Sequence, residues 1–268
     1  MTSLFVMCFF LMLFSSCTLA YDNYNSHIFP RPLVIEYPEG NEFQLRESLE
    51  ELRLQCTSWR FAVEANNLSP WKTIPPECAA YVEDYMTGRA YSYDLQRVSR
   101  AAGAFAKSVE LAEDGKDVWI FDVDDTLLSN LPYYAQHGYG LEIFNHTKFD
   151  EWVEEGLAPA IHSSLELYRD VTSLGFKVFF LTGRSERHGN ITADNLIKVG
   201  FQHWDKLILR SPEDHPKQAT MYKSEKRDEM IKEGYRIVGN SGDQWSDLLG
   251  SSPANRSFKL PNPMYYIP

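Results

Sequence analysis

The 268-residue sequence has no run of lysine and arginine, and its formal net charge is −11. Proteins that bind the phosphate backbone of nucleic acids need a concentrated basic patch, so we do not expect nucleic acid to be a partner. The sequence also lacks an uninterrupted stretch of the roughly 20 apolar residues that a membrane-spanning helix requires. With 44% apolar and 24% charged residues, the composition is that of an ordinary globular protein.

Cysteine is scarce, and two of the four cysteines, Cys8 and Cys17, lie in an apolar N-terminal stretch. Residues 4–14 are apolar, and small residues follow them as far as Ala20. This is the pattern of a secretory signal peptide. We therefore expect residues 1–20 to be removed and the protein to follow the secretory pathway. An extracellular and a vacuolar destination both remain open.

The mature chain would keep only Cys56 and Cys78. An even pair of cysteines in an oxidising compartment predicts one disulfide bond, and their spacing does not match a zinc site. Four glycosylation sequons agree with secretion, although the sequence does not show which of them are used. Their asparagines are Asn67, Asn145, Asn190 and Asn255.

Residues 21–115 are interpreted as an extended arm followed by a helical support region. The first twenty of these residues are rich in proline and asparagine and show no periodicity. Apolar residues then recur at helical spacing from Gln44 to Asn66. Two further helical stretches are predicted near Cys78 to Met86 and from Tyr93 to Ala112. These helices precede the main domain.

Residues 116–268 alternate between strands and helices, which predicts an α/β domain with a doubly wound parallel sheet. Roughly fifty residues separate the first two strands, more than a simple crossover needs, so we predict a small helical insert at about 130–172. Such an insert can act as a lid. Strands are predicted at Val118–Phe121, Lys177–Leu181, Lys206–Leu209, Arg236–Val238 and Ser257–Leu260.

The first strand leads directly into acidic residues. Asp122 and Asp124 are two positions apart in extended chain, so their carboxylates can share one side of the strand end. Such a pair repels itself unless a cation neutralises it or one member is protonated. An aspartate can also attack phosphorus directly. Viewed alone, the pair fits ordinary turn or helix-cap chemistry equally well.

Two further groups follow later strands. Thr182, Gly183 and Arg184 combine a hydroxyl, a residue that leaves backbone amides accessible, and a cation, as a phosphate site would. The same tripeptide also occurs in plain turns. A lysine at the start of a later helix would balance the charge of a phosphoryl group. The sequence leaves both Lys223 and Lys226 open, and we favour Lys223.

The fourth strand is followed by Asp243 and Asp247. If a helix begins near Asp243, both carboxylates lie on one face, where they would suit Mg²⁺. A helix cap with a first-turn acid is the alternative. All four groups follow predicted strands of one parallel sheet, and ligand sites lie at the carboxyl ends of such strands. Together they favour phosphoryl transfer over four unrelated turns.

This set of motifs resembles the haloacid dehalogenase-like superfamily, and more closely its plant acid phosphatase and vegetative storage protein group. The resemblance covers most of the mature chain. It rests on Asp122-x-Asp124-x-Thr126, Thr182, Lys223, Gly242-Asp243-x-x-x-Asp247, and the runs 121–130, 137–140 and 235–250.

The resemblance implies a class B-like acid phosphatase that hydrolyses small phosphate monoesters with Mg²⁺. Asp122 would be the nucleophile and a metal ligand. Asp124 would be the general acid and base and would offer its backbone carbonyl to the metal. The remaining roles would be a metal ligand at Asp243, phosphate binding at Thr182, Gly183 and Lys223, and support from Thr126 and Asp247, the latter orienting Lys223 or a metal-bound water. A homodimer is left open.

A storage glycoprotein with incidental phosphatase activity is the second hypothesis, because the same group includes nitrogen-storage members. Some relatives replace the first aspartate, whereas this chain keeps Asp122, which favours an active enzyme. A binding domain with an acidic pocket would need neither a proton shuttle at Asp124 nor a leader. No role is assigned to Asp125. The aromatic residues of the insert are interpreted as packing.

Overall fold

The structure is a computed structural model that describes the backbone of residues 41–268 and the side chains from Ser48 onward. The predicted signal peptide and extended arm, residues 1–40, lie outside the described residues. No helix in the described part of the chain is both long enough and apolar enough to cross a membrane.

Five parallel strands form the central sheet, in the order β3-β2-β1-β4-β5. Every predicted strand is present, which confirms the α/β fold. β2 and β4 continue further than predicted because Ser185 pairs with Arg210 and Gly242 pairs with Lys259. The strands are Asp117–Phe121 (β1), Lys177–Ser185 (β2), Lys206–Arg210 (β3), Arg236–Gly242 (β4) and Arg256–Lys259 (β5).

Helices precede the sheet, as predicted, and also lie between its strands. Those before the sheet are Asn41–Glu64 (α1), Ala79–Thr87 (α2) and Arg89–Ser108 (α3). Those that follow β1 are Leu131–Gln136 (α4), His146–Glu155 (α5), His162–Leu174 (α6), Gly189–Lys198 (α7), Ala219–Lys232 (α8) and Trp245–Leu248 (α9).

The indole of Trp119 fixes the central strand in the core. The side chain is fully buried, stacks on Phe258 with ring centroids 5.5 Å apart, and donates a hydrogen bond to Ser241 Oγ at 3.1 Å. A Cβ atom at Gly239 of β4 would lie 2.4 Å from this indole, so only glycine fits there. β1 is therefore locked against β4, and the residues that follow it have a fixed position.

The helical support region is cross-linked by a disulfide bond between Cys56 and Cys78, which confirms the predicted pair. The bond ties α1 to the turn that precedes α2. By the loop-entropy argument, closing a loop of this length stabilises the fold by about 3 kcal/mol. Further along, Ser99 of α3 donates to the backbone carbonyl of Ser163 at 2.6 Å, which joins this region to α6.

The segment between β1 and β2 contains α4, α5 and α6. Leu167, Tyr168 and Val171 of α6 are buried in the core, so α6 is the crossover helix. The helical insert, predicted at about 130–172, therefore stands apart from the crossover only as far as about Ile161. Two backbone hydrogen bonds hold the base of the insert. Ser129 N donates to Pro159 O, and Ile161 N donates to Leu127 O, both at 2.8 Å.

Candidate active site

A cavity of about 540 Å³ opens at the carboxyl ends of β1, β2 and β4, beside the first turns of α8. Most of the predicted site residues meet there, although they come from four separate parts of the sequence. Thr126 and Thr182 are fully buried and support the residues that face the cavity. The predicted residues that line it are Asp122, Asp124, Gly183, Lys223, Asp243 and Asp247.

Lys223 lies between two buried carboxylates. Its Nζ atom is 2.5 Å from Asp122 Oδ1 and 2.5 Å from Asp247 Oδ1. Lys226, the alternative left open by the sequence, instead contacts Glu229 at 3.2 Å and Asp214 at 3.7 Å. One helical turn separates the two lysines, and the structure brings only Lys223 to the cavity wall.

The charges around Lys223 are not balanced. Burial raises the pKa of Asp122 well above its ordinary value, Lys223 opposes that shift, and Asp247 and Asp243 add to it. Burial alone would lower the pKa of Lys223, but Asp122 and Asp247 outweigh it and raise that pKa. The two pKa shifts differ because Asp122 also faces other acids, whereas Lys223 faces opposite charge. One ammonium therefore does not neutralise the cluster.

Asp243 provides a second centre of negative charge, and its side chain is held by amides. Asn262 Nδ2 donates to its Oδ2 atom at 2.7 Å, and Gln244 Nε2 donates to the same atom at 2.8 Å. Thr126 Oγ1 accepts from the backbone N–H of Asp243 at 3.0 Å, which ties the loop after β1 to the loop after β4. Burial, followed by repulsion from Asp247 and Asp125, raises the pKa of Asp243 to about 7.

The residues present fit a divalent cation. Asp122, Asp243 and Asp247 each offer a carboxylate oxygen within 4.8 Å of the others, and all three are buried. Oxygen donors without histidine or cysteine suit a hard cation such as Mg²⁺ better than zinc. Burial, followed by repulsion from Asp247 and Asp125, raises the pKa of Asp243, and a cation would relieve that repulsion.

The helix expected near Asp243 is present, although it begins two residues further along the chain. β4 continues to Gly242, and α9 begins at Trp245, because Gln244 caps it in a reciprocal box with Asp247. Asp247 Oδ2 accepts the backbone N–H of Gln244 at 2.9 Å, which leaves Oδ1 for Lys223. A Cβ atom at Gly242 would lie 2.4 Å from Asp247, so this glycine is required for the close approach.

Asp124 is held by a guanidinium. Arg184 Nη2 lies 2.8 Å from its Oδ1 atom, and Asn130 Nδ2 donates to the same oxygen at 2.9 Å. Burial alone would raise the pKa of Asp124, but Arg184 outweighs it and the pKa falls below its ordinary value. Arg184, the cation of the predicted phosphate group, pairs with Asp124 in this structure. The plain turn that the tripeptide also allows is absent, because β2 continues to Ser185.

Thr182 contributes from behind the cavity wall. Its hydroxyl accepts the backbone N–H of Arg184 at 3.1 Å and lies 3.5 Å from Asp124 Oδ2. Gly183 faces open space, since a Cβ atom placed there would meet no atom within 4 Å. In the described part of the chain, the buried hydroxyl of Ser246 lines the cavity without a hydrogen-bond partner. Both features leave space and a donor for a phosphoryl group.

Asp125 has a structural role that the sequence did not reveal. Its backbone lies in the left-handed region at φ 47°, which turns the chain after β1. Its carboxylate accepts the backbone N–H of Asn130 at 2.8 Å and the hydroxyl of Tyr265 at 2.9 Å. Burial raises the pKa of Asp125 to about 7. The C-terminal segment thus supports the site, although no local motif indicated it.

Aromatic and cationic side chains also line the cavity. Tyr134 and Phe144, which the sequence assigned to packing, are among them. Tyr134 also stacks on Tyr265, with ring centroids 4.9 Å apart. Other residues that line the cavity are His146, Phe149, Asp150, Arg187, His188, Arg210 and His215.

Residues 41–268 match the family model described as HAD superfamily, subfamily IIIB (Acid phosphatase). The chain belongs to this family. The subfamily IIIB assignment agrees with the geometry of the cavity, where the aspartates, the lysine and the second acidic pair of the superfamily motifs converge. Acid phosphatases of this kind act on small phosphate monoesters.

Curated plant relatives agree with the subfamily IIIB assignment. The chain is 65% identical to "Acid phosphatase 1" of Solanum lycopersicum over 246 residues, 92% of this chain and 93% of that protein. It is 47% identical to "Stem 28 kDa glycoprotein" of Glycine max over 80% of this chain and 84% of that protein. It is 42% identical to "Vegetative storage protein 1" of Arabidopsis thaliana over 85% of this chain and 86% of that protein.

Solved structures show the same fold. The class C acid phosphatase from Bacillus anthracis superposes with a TM-score of 0.56 at 21% identity, covering 70% of this chain and 84% of that one. The structure of that enzyme with tungstate bound gives a TM-score of 0.53 at 22% identity, covering 70% and 85%. At this level of sequence identity, the two solved structures support the fold alone.

Proposed function

We propose that this acid phosphatase hydrolyses small phosphate monoesters through an aspartyl-phosphate on Asp122, with Mg²⁺ as its cofactor. The observation that carries the proposal is the buried Asp122–Lys223–Asp247 group at 2.5 Å contacts, which opens onto the same cavity as Asp124. A carboxylate nucleophile, a separate proton carrier and a fixed cation are what two displacements at phosphorus require.

In the first displacement, an oxygen of Asp122 bonds to phosphorus while the bond from phosphorus to the ester oxygen breaks. Asp124 gives its proton to the departing alcohol. In the second displacement, Asp124 takes a proton from water, the water oxygen bonds to phosphorus, and the bond to Asp122 breaks. Lys223 and the backbone at Gly183 hold the phosphoryl oxygens, while Thr182 and Arg184 keep Asp124 in position.

Asp122, Asp243 and the backbone carbonyl of Asp124 would hold Mg²⁺, with Asp247 nearby. The bound cation would supply charge neutralisation for a dianionic substrate next to carboxylates. The side-chain amides of Gln244 and Asn262 hold the Asp243 carboxylate in place, and the hydroxyl of Thr126 holds the Asp243 backbone.

The proposed function is tested by measuring phosphate release from a panel of monoesters with and without Mg²⁺. We expect turnover of several small esters and at least about a hundredfold loss after chelation by EDTA, restored by added Mg²⁺. Full activity in metal-free enzyme would refute the cofactor assignment. Absence of turnover with Mg²⁺ present would refute the phosphatase proposal.

Metal binding should stabilise the fold more at pH 7.5 than at pH 5. Without metal, Asp243 and Asp125 have a pKa of about 7, above their unfolded values. The folded chain then binds more protons than the unfolded chain between about pH 4 and pH 7, so its stability falls as the pH rises through that window. Because a bound cation competes with those protons, the affinity of the folded protein for the cation rises with pH over the same window.

The measurement is the Mg²⁺-induced rise in melting temperature at both pH values. Asp243→Asn should reduce the difference between them. An equal rise at pH 5 and pH 7.5 in the wild-type protein would contradict the predicted linkage.

Replacing Arg184 by glutamine should move the alkaline limb of the pH–rate profile to higher pH. Asp124 donates a proton only when it is protonated, and Arg184 holds its pKa low. Loss of the guanidinium therefore raises that pKa and keeps the acid protonated at higher pH. The Arg184→Lys protein should retain more of the wild-type profile. A limb that moves to lower pH, or does not move, would contradict the assignment of Asp124.

Nitrogen storage is the second candidate function, since the chain is similar to plant vegetative storage proteins. It does not require turnover, so the kcat/KM of the purified protein separates the two functions. Values near the common enzyme range of about 10⁴ M⁻¹s⁻¹ or above would support catalysis as the main role. Values many orders of magnitude lower would support storage.

We also propose passage through the secretory pathway, to the cell exterior or the vacuole, with glycosylation at exposed sequons. The four asparagines are exposed, and the Glycine max relative is named a glycoprotein. The intact mass of protein secreted by plant cells, before and after glycosidase treatment, tests this for Asn67, Asn145, Asn190 and Asn255. A homodimer stays a prediction, which sedimentation can test.

A further inference from the structure

We infer that the part of the cavity beside Arg210 binds a second anionic group. The favoured substrates would then be phosphate monoesters whose alcohol part carries another phosphate or a carboxylate. The inference rests on the proposed phosphatase function, because the first phosphate must occupy the site at Asp122. Arg210, assisted by His215, is the group that would recognise the second anion.

Arg210 is the last residue of β3, and its guanidinium has unused binding capacity. Nη1 donates to the backbone carbonyl of Lys217 at 3.0 Å, and the guanidinium lies over the ring of Tyr222, 4.7 Å from its centre. Nε is buried and has no hydrogen-bond partner among the described residues. A buried donor without a partner is rare in folded proteins, and it adds to the cost of burying this cation, which a nearby anion would offset.

The other cationic side chains of the cavity already have acidic partners. Arg184 pairs with Asp124, Arg187 with Asp150, and Lys223 with Asp122 and Asp247. Within the described part of the chain, Arg210 is the guanidinium of this cavity that forms no ion pair. Its charge is therefore available to a ligand.

Asp214, four residues after Arg210, does not neutralise it. Asp214 is bound by Lys217 at 2.7 Å and by Lys226 at 3.7 Å, so its negative charge is already matched. Burial lowers the pKa of the Arg210 guanidinium, which shows that desolvation outweighs the attraction from Asp214. An anion in the cavity would oppose this cost.

The position of Arg210 sets the spacing between the two anions. β3 lies two strands from β1 in the sheet, so their carboxyl ends are about 10 Å apart. A phosphoryl group at Asp122 and a second anion at Arg210 would therefore lie at opposite sides of the cavity. The volume of about 540 Å³ falls in the range of sites for small organic ligands and is far larger than one phosphate needs.

The cavity also has apolar surface for a carbon skeleton and a second donor for the anion. Phe144 and Phe149 line the cavity with apolar surface, and their ring centroids are 5.4 Å apart. His215, five residues after Arg210, lines the same cavity and can donate a ring N–H to the anion. A phosphate or a carboxylate satisfies this pair, because each accepts hydrogen bonds in a fork from a guanidinium.

The test compares the binding of stable phosphonates that differ in the second group. Isothermal titration calorimetry of the Mg²⁺-loaded protein would use 4-(phosphonomethyl)benzoic acid, its methyl ester, and the corresponding bisphosphonate. We expect the acid to bind roughly tenfold more tightly than the ester, as one charge-assisted contact provides. The bisphosphonate arm shows whether phosphate or carboxylate is the better second group.

Arg210→Gln should reduce the acid-to-ester affinity ratio to near one. Arg256→Gln is the matched control, since Arg256 also lies over an aromatic ring, at 5.0 Å from the centre of Phe258, but lies outside the cavity. It should keep the wild-type ratio. A ratio that is already near one in the wild type, or that survives Arg210→Gln, would overturn the inference.

Turnover of phenyl phosphate, which has no second anion, reports separately on the proposed function. Turnover with an acid-to-ester ratio near one would overturn the second-anion site alone. A preserved ratio that depends on Arg210, in a protein without turnover, would support the anion site and refute the phosphatase proposal. The two failures are therefore distinguishable.

Discussion

The Asp122→Asn protein is expected to hydrolyse phosphate monoesters at least about a thousandfold more slowly than the wild-type protein, because an amide cannot act as the nucleophile. The substitution keeps the shape of a side chain that is only 5% exposed. Burial and neighbouring acids raise the pKa of Asp122, so removing its charge should not lower the stability of the metal-free fold. Steady-state kinetics and thermal unfolding check the two expectations together.

Asp117→Asn is the matched control for this loss. Asp117 begins the same strand at the opposite end, where it accepts hydrogen bonds from Arg236 Nε and from the backbone N–H of Ala112, each at 2.7 Å. Its replacement should lower the melting temperature and leave kcat close to the wild-type value. Activity above about a tenth of wild type in Asp122→Asn would rule out this residue as the nucleophile.

Replacing Lys223 by methionine is expected to lower the free energy of unfolding by about 3–5 kcal/mol, the usual cost of leaving buried charge unpaired. Asp122 and Asp247 would then face each other without the ammonium that lies 2.5 Å from both. Activity should fall by about a hundredfold or more, because a cation that holds the phosphoryl oxygens is lost. Denaturant unfolding and kinetics with saturating Mg²⁺ measure both effects.

Lys226→Met is the control that separates the two lysines. Lys226 pairs with the exposed Glu229, and Asp214 keeps its ion pair with Lys217, so the loss of Lys226 should cost no more than about 1 kcal/mol and leave kcat unchanged. In the double variant Lys223→Met with Asp247→Asn, part of the lost stability should return because one unpaired carboxylate is gone. No recovery in the double variant would contradict the charge-pairing account.

The sheet could be predicted from the sequence because strand positions depend on local patterns. Val118–Phe121 is apolar throughout and buried on both faces, and Val178–Leu181 of β2 shows the same kind of run. The site residues could be located for a related reason, since polar residues directly after buried strands meet at one edge of a parallel sheet. Asp122 and Asp243 therefore come together as the strand order requires, and Lys223 reaches Asp122 from α8.

Contacts between distant segments could not be predicted in this way. Asp125 has no recognisable motif of its own, and its partner Tyr265 is 140 residues away. The pairing of Arg184 with Asp124 depends on β2 continuing past Thr182, which in turn depends on Ser185 pairing with β3. The turn propensity of Thr182 and Gly183 favours the end of the strand at this point, but the pairing of Ser185 with Arg210 of β3 extends it.

The central claim is that Asp122 carries the phosphoryl group during turnover. Acid-quenched turnover of a phosphate monoester, followed by peptide mapping with mass spectrometry, tests it most directly. We expect the mass of one phosphoryl group on the peptide that contains Asp122, with greater accumulation in the Asp124→Asn protein because water is then activated more slowly. Phosphorylation of a different residue, or turnover without any phosphopeptide in either protein, would contradict the account.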